Sequence, residues 1–299
     1  MNIHGFVDLH THGIGRCDTR TDDYGDILTL ARLHAKAGTI AILPTIYSGP
    51  IDEMRKSLKA VSKAMDVQAR GEGLKAKGQT FGAEILGVNL EGPFLNPVRC
   101  GAMDKDTFIK PTMAALKKLI AGHEEIVKII TIAPELPGAL KVIEKCADMG
   151  IRVTMGHSDA TLMQAVEAKK AGATGITHIF NAMRPFHHRE PGLAGLGLTD
   201  NDLYIEVIAD SVHLHPKILE LIFNCKRLDR IIIVSDSVKG KKTAKGVVYD
   251  MGVLAGSGLT INGAVKGLQR IGIPDAEIIK ASTDNPLRYL GIKKSLLCC

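Results

Sequence analysis

Two histidines, His10 and His12, stand two residues apart at the end of an apolar run, Phe6-Val7-Asp8-Leu9. On a β-strand that spacing puts both side chains on one face. Imidazoles on an inward face pack poorly and bind metal well, although a lone pair of this kind also fits surface or core histidines. Further along the chain, polar residues capable of chemistry recur at the ends of apolar runs: Glu91-Gly92-Pro93, Pro134-Glu135, Gly156-His157-Ser158, Thr177-His178, Asp210 to His213, and Ser235-Asp236. Together they specify a metal set of His10, His12, Glu91, His157 and His178. Glu91 follows Val88-Asn89-Leu90, and a carboxylate placed there is destabilising unless it is paired or ligates an ion. No lysine closes the fourth run, so Glu91 rather than a carbamylated lysine is the bridging candidate. Asp236 follows Ile231-Ile232-Ile233-Val234. Beside a metal it can take a proton from water and hand it to a leaving amine; the blander reading is a cap or an ion pair with Lys239.

Such residues need a frame that brings distant strand ends together. The strand candidates are His4–Leu9, Thr39–Pro44, Ile85–Leu90, Val127–Ile132, Ile151–Met155, Gly175–Ile179, Tyr204–Ala209 and Ile231–Val234. The near-continuous apolar character of the last fits a parallel strand covered on both sides. Helical patterns lie between them, at Asp26–Ala37, Ile51–Arg70, Thr112–Ala121, Gly138–Met149 and Ala160–Ala171, each followed by a glycine stop. Eight strands alternating with helices or long loops predict a closed (β/α)8 TIM-type barrel, with the chemistry at its C-terminal rim. An open doubly wound sheet is the alternative, and no GxGxxG or P-loop follows the first strand to support it. The whole chain, residues 1–299, reads as one barrel domain, and Lys239 to Gly246 as a loop after the eighth strand.

Composition sets the outer bounds. The 299 residues are 45% hydrophobic and 23% charged, which excludes a disordered chain. With no Trp and few aromatics, the core rests on Ile, Leu, Val, Ala and Met. The net charge of +6 is scattered over helical stretches without aromatic interleaving, so a nucleic-acid groove is not expected. A mild positive field suits an anionic small substrate. No run reaches membrane-spanning length and no leader pattern opens the chain, so a cytoplasmic enzyme is expected, with no membrane partner. None of the six cysteines forms CxxC, and Cys298-Cys299 do not fit the prenylation pattern. Between the sixth and seventh strands, Phe186 to Gly192 is a polar, proline-bounded loop in which Arg189 can fork onto phosphate or carboxylate or pair with Glu190. His213 and His215 repeat the spacing of two without a nearby acid beyond Asp210.

These stretches in this order resemble the N-acetylglucosamine-6-phosphate deacetylase family of the amidohydrolase superfamily. The resemblance runs through Gly5 to Gly13, Leu90 to Pro97, Ala133-Pro134-Glu135, Gly156 to Thr161, Thr177 to Met183, Arg189 to Gly195, Ile208 to His213, Val234-Ser235-Asp236 and Leu254 to Ser257. It implies a divalent cofactor of one or two ions, Zn or Fe ahead of Ni and Mn. Glu91, His157 and His178 would hold the principal ion, and His10 and His12 the second. Asp236 would be the proton carrier. It further implies that Asn181 and Ala182 contact the sugar and that Arg189 and His213 bind its phosphate, one of them across a homodimer interface. The products would be glucosamine 6-phosphate and acetate.

Two features depart from the family pattern. Its members carry a carbonyl-polarising histidine where Gly101-Ala102-Met103 places Met103. They also flank the barrel with a small β-sandwich for which this sequence supplies no segment. The readings that compete with deacetylation are hydrolysis of another N-acyl or cyclic amide, and a non-catalytic barrel that binds sugar phosphate.

Overall fold

The computed structural model describes residues 5–71, 82–240, 246–250 and 252–293. His4, Lys241 to Lys245, Cys298 and Cys299, on which sequence expectations fall, lie outside the described residues.

Eight parallel strands follow one another around a barrel in chain order: β1 (Phe6–Thr11), β2 (Thr39–Tyr47), β3 (Val88–Glu91), β4 (Val127–Ile132), β5 (Arg152–Met155), β6 (Ala173–Ile176), β7 (Tyr204–Ile208) and β8 (Ile231–Val234). The ends of this sheet meet at the rim. Thr11 and Ser237 form a parallel bridge, and the Asp236 N–H donates to the His10 carbonyl at 2.9 Å. Closure therefore passes through the segments that carry His10, His12 and Asp236. The fold is the predicted (β/α)8 barrel.

Helices α1 (Tyr24–Lys36), α2 (Ile51–Arg70), α3 (Met113–Ile120), α4 (Ala139–Asp148), α5 (Leu162–Lys170), α6 (Gly192–Thr199), α7 (Pro216–Cys225) and α8 (Ile261–Arg270) surround the strands. Their starts follow local chemistry. Thr161 and Gln164 form a reciprocal capping box on α5, and the Thr112 side chain accepts from the Ala115 N–H at the start of α3. His215 caps α7, its ring accepting from the Lys217 N–H, so it does not join His213 in a metal pair. Among the described residues, no helix is long and apolar enough to cross a membrane.

The core divides by strand parity. Ile205, Val207, Ile231 and Ile233 pack outward with helical residues such as Leu219 and Ile222. Val7, Leu9, Leu43, Ile129, Ile208, Ile232 and Val234 form a second cluster inside the barrel, joined by Leu287 and Tyr289. Above this plug the inward positions turn polar: Asn89, Glu91, Thr131 and Thr154 are all buried, and Glu206 is buried at the level of Ile232 within it. Thr131, Thr154 and Thr177 satisfy one another there, with hydroxyl separations of 2.8–3.1 Å. The apolar plug fixes the barrel, and the polar layer on it carries the chemistry.

β2 runs to Tyr47, past the Pro44 at which the sequence reading stops it. Pro44 lies opposite Thr11, where the β1–β2 ladder shifts register, and Thr45 to Tyr47 then pair with Asn89 to Glu91 of β3. A proline is tolerated where the ladder is already irregular.

Candidate active site

β1 delivers His10 and His12 to the barrel axis. The Asp8 carboxylate accepts from the His10 N–H at 3.3 Å and from the Ser235 N–H at 3.2 Å, tying β1 to β8 beneath the site. Gly13 follows at a close crossing, where a Cβ would lie 2.4 Å from the Cys17 carbonyl oxygen and 2.9 Å from the Lys239 nitrogen. Only glycine lets the chain turn directly after His12.

The residues named from the sequence converge. His10 Nε2 lies 3.2 Å from His12 Nε2, and His157 Nε2 lies 3.2 Å from His178 Nε2. Glu91 spans both pairs. Its Oε1 is 3.0 Å from both His157 and His178, and its Oε2 is 3.2 Å from His12. Asp236 Oδ1 is 3.1 Å from His12 Nε2 and 3.6 Å from His10 Nε2. Two trios result: Glu91 with His157 and His178, and Asp236 with His10 and His12, each with donor atoms within 4.8 Å of one another.

The outer nitrogens of three rings settle how the inner ones point. His12 Nδ1 donates to the Thr45 carbonyl at 3.0 Å, and His157 Nδ1 to the Arg99 carbonyl at 2.9 Å. A carbonyl only accepts, so Nδ1 carries the hydrogen and Nε2 offers its lone pair inward. His10 Nδ1 stands 3.0 Å from Glu206 Oε2, which imposes the same orientation. Ring nitrogens 3.2 Å apart need a proton or a metal ion between them. A divalent ion therefore fits both trios by the chemistry of their donors.

Charge in the site agrees. Burial pushes His12 down, but Glu91 and Asp236 more than reverse this and raise it well above the ordinary imidazole value. Burial acts likewise on His10, where Glu206 and Glu91 prevail and lift it to about 9. Burial pushes Glu91 up, yet His157, His10 and His12 hold it well below the usual carboxylate range. Asp236 is also held low against burial, chiefly by its hydrogen bond with His12. Imidazoles that attract positive charge and carboxylates that keep their negative charge make a cation site, in which bound metal displaces protons.

Backbone strain marks the same places. His157, His178 and Asp236 each follow a strand end with φ of 47°, 26° and 46°. Non-glycine residues adopt such values at a cost of about 1–3 kcal/mol, typically where a side chain must be aimed.

The trios lie at the floor of a cavity of about 640 Å³, whose walls include Ala102, Met103, Asn181, Ala182 and His213. The Asn181 amide donates weakly to the His178 and Ile179 carbonyls at 3.3 Å. His213 Nδ1 is held by Asp210 Oδ2 at 2.7 Å, leaving Nε2 toward solvent or ligand. Burial lowers the His213 ring, and the hydrogen bond and charge of Asp210 outweigh it, so the ring stands above the ordinary imidazole value. Arg189 is not brought into this cavity. It is exposed, with its guanidinium 3.0 Å from His188 Nε2. Glu135 serves structure instead, accepting from Asn96, Ser158 and the Asp159 N–H at 2.6–2.8 Å.

The sequence reading missed several residues. Asp18, Arg20, Tyr47 and Lys239 line the cavity wall; Lys239 pairs with Asp18 at 2.7 Å, and Arg20 stacks 4.8 Å above the Tyr47 ring. Tyr47 lies at the end of β2, past the Pro44 at which the sequence reading stops that strand, and the other three fall in short connecting segments without a pattern. Glu206 did carry one, an acid inside the apolar strand Tyr204 to Ile208.

Comparison with known proteins places this geometry. The amidohydrolase family model matches residues 3–298. The chain belongs to the amidohydrolase family. This family is metal-dependent and hydrolyses amides, in keeping with the two trios. The chain is 34% identical over 304 aligned residues to N-acetylgalactosamine-6-phosphate deacetylase of Escherichia coli O157:H7, covering 96% of this chain and 77% of that protein. Its identity to N-acetylglucosamine-6-phosphate deacetylase of Lysinibacillus sphaericus is 32%, covering 96% and 75%. A Mycobacterium smegmatis N-acetyl-D-glucosamine-6-phosphate deacetylase, solved with N-acetyl-D-glucosamine-6-phosphate, superposes with a TM-score of 0.84 at 28% identity, covering 97% of this chain and 78% of that one.

Proposed function

We propose that this chain hydrolyses the acetamide of N-acetylglucosamine 6-phosphate, releasing acetate and glucosamine 6-phosphate. The observation that carries the reading is the pair of adjacent buried donor trios, Glu91 with His157 and His178 and Asp236 with His10 and His12, set beneath a cavity that also presents His213. The relatives that act on phosphorylated N-acetyl amino sugars support it.

Glu91, His157 and His178 would hold one divalent ion and His10, His12 and Asp236 a second, with Zn or Fe as the metal. When bound, such an ion supplies positive charge to polarise the acetyl carbonyl and to acidify water. Asp236, kept anionic by the histidines beside it, accepts the proton of the attacking water. The same carboxyl then donates that proton to the departing amine, so it begins and ends the cycle ionised. Asn181, Ala182 and Ala102 shape the sugar wall. His213, oriented by Asp210 and raised by it above the ordinary imidazole value, pairs with the phosphate. Arg189, exposed and away from its own chain's cavity, would reach the phosphate of a second copy, which makes a homodimer the working unit.

The galactosamine relative favours a second reading, in which the epimer at C4 of the sugar is the substrate. Acetate release from both N-acetylhexosamine 6-phosphates, run beside metal analysis, tests the two. Metal bound with no acetate from either phosphate refutes both substrates and leaves an amidohydrolase acting on another amide.

A further inference from the structure

Glu206 sits in the middle of β7 with its side chain 3% exposed. Parity turns it inward, with Ile208, while Ile205 and Val207 pack outward. Among the described residues, no lysine or arginine pairs with it. Lys226 is the buried basic side chain among the described residues, and it donates to the Asp200 carbonyl. Glu206 Oε2 accepts from His10 Nδ1 at 3.0 Å and from the His178 N–H at 3.4 Å, and Oε1 has no partner. A carboxylate taken out of water without a cation loses several kcal/mol, so its retention needs positive charge nearby.

That charge can reach it through one ring. His10 joins Glu206 at Nδ1 and faces His12 and Asp236 at Nε2. Four acids are buried around this axis, Asp8, Glu91, Glu206 and Asp236. A single dication leaves two of their negative charges to be met by protons on the histidines, which a second ion would displace. Two dications balance all four. A carboxylate behind a ligating imidazole also fixes its ring and raises its basicity, which favours a metal on the other nitrogen.

We infer that Glu206 is the positioning residue for an ion at His10, His12 and Asp236, and that it sets whether this barrel fills that place beside the one at Glu91, His157 and His178. The inference rests on reading the rim as a metal centre and not on which sugar is hydrolysed.

The test counts Zn²⁺. The full chain is stripped with chelator and titrated with Zn²⁺ alone, using calorimetry and plasma emission analysis after dialysis. The unsubstituted chain is expected to take two ions. Glu206→Gln keeps an acceptor for His10 Nδ1 but loses the charge. It should weaken one ion by about 10–100-fold and leave the other unchanged. Glu206→Ala should retain one ion per chain. Thermal melts of the metal-free proteins check that the variants fold; if the alanine variant does not, the glutamine variant decides. One ion in the unsubstituted chain, unchanged binding of both in the variants, or equal weakening of both would overturn the inference. The predicted counts with no acetate released from either sugar phosphate would leave it standing and sink the substrate reading instead.

Discussion

Met103→His asks whether this cavity lacks a donor that acyl chemistry uses. Arg99 to Met103 is pinned against the metal rim: the Arg99 carbonyl accepts from His157 Nδ1, and a Cβ at Gly101 would lie 3.5 Å from His157 Cε1. Met103 lines the cavity beside Ala102. Its thioether cannot donate a hydrogen bond. The other neutral donors are engaged. The Asn181 amide faces the His178 and Ile179 carbonyls, and the Tyr47 hydroxyl donates to Asp18 Oδ2 at 3.3 Å. Removing one donor from a developing oxyanion typically costs about 10²–10³-fold in rate, or about 2.7–4 kcal/mol. Restoring one has that range as its ceiling. Because the donor acts on charge that develops in the transition state, the gain should fall on kcat with KM little changed. Steady-state acetate release from N-acetylglucosamine 6-phosphate, with metal content matched between variants, measures it. A rise of tenfold or more in kcat supports the reasoning. An unchanged kcat with full metal content refutes it, and would show that the carbonyl is already polarised by charge at the two trios.

Three further outcomes follow from the same geometry. Asp236→Asn keeps the shape but removes the proton acceptor, so kcat should fall about 10²–10⁴-fold while the ion at Glu91, His157 and His178 is retained; more than a tenth of the activity surviving in metal-loaded protein would refute the proton role. His213 is held above the ordinary imidazole value by Asp210, so phosphate binding should be strong below that raised value and weaken as pH rises through it. Asp210→Asn should shift that limb of the pH–KM profile to lower pH, and an unmoved limb would exclude His213 as the phosphate partner. His34 is buried and pushed down to about 4, so the folded chain keeps it neutral where the unfolded chain, near 6.5, takes a proton. The stability this contributes is complete above pH 6.5 and is lost as pH falls toward 4, by about 3 kcal/mol in all. Denaturant melts of His34→Gln against the parent should show that difference. Asp8, which burial raises to about 6, titrates in the opposite sense but is common to both proteins.

What was legible in the sequence follows from how locally each feature is determined. Ile231 to Val234 and Val127 to Ile132 read correctly to the residue, because a strand covered on both faces is apolar at nearly every position, Lys128 and Thr131 being the exceptions here. The metal rim was legible for a related reason. A polar side chain directly after such a run has no role in packing, so His10, Glu91, His157, His178 and Asp236 stood out, and the structure brings them together. Glu206 carried a signal, an acid inside an apolar strand, but an ambiguous one. It lies within a strand rather than after one, where alternation alone would assign it to solvent, and only barrel closure shows that its face is the interior. Arg20, Tyr47 and Lys239 were hidden because three separate segments, the end of β2 and two loops, supply them and only the closed rim places them on one wall. Arg189 marks the remaining limit. Its type and its polar loop point to phosphate, yet a single chain leaves it exposed outside its own cavity. If its task depends on a second copy, neither the strand pattern nor the single-chain geometry constrains it, and its assignment turns on a dimer. Mixing inactive Asp236→Asn chains with Arg189→Ala chains would expose that dependence. If Arg189 acts across an interface, heterodimers should recover one working site, with an intact Arg189 donated to the chain that retains Asp236. No recovery above the sum of the two variants would confine phosphate recognition to His213 and the cavity of one chain.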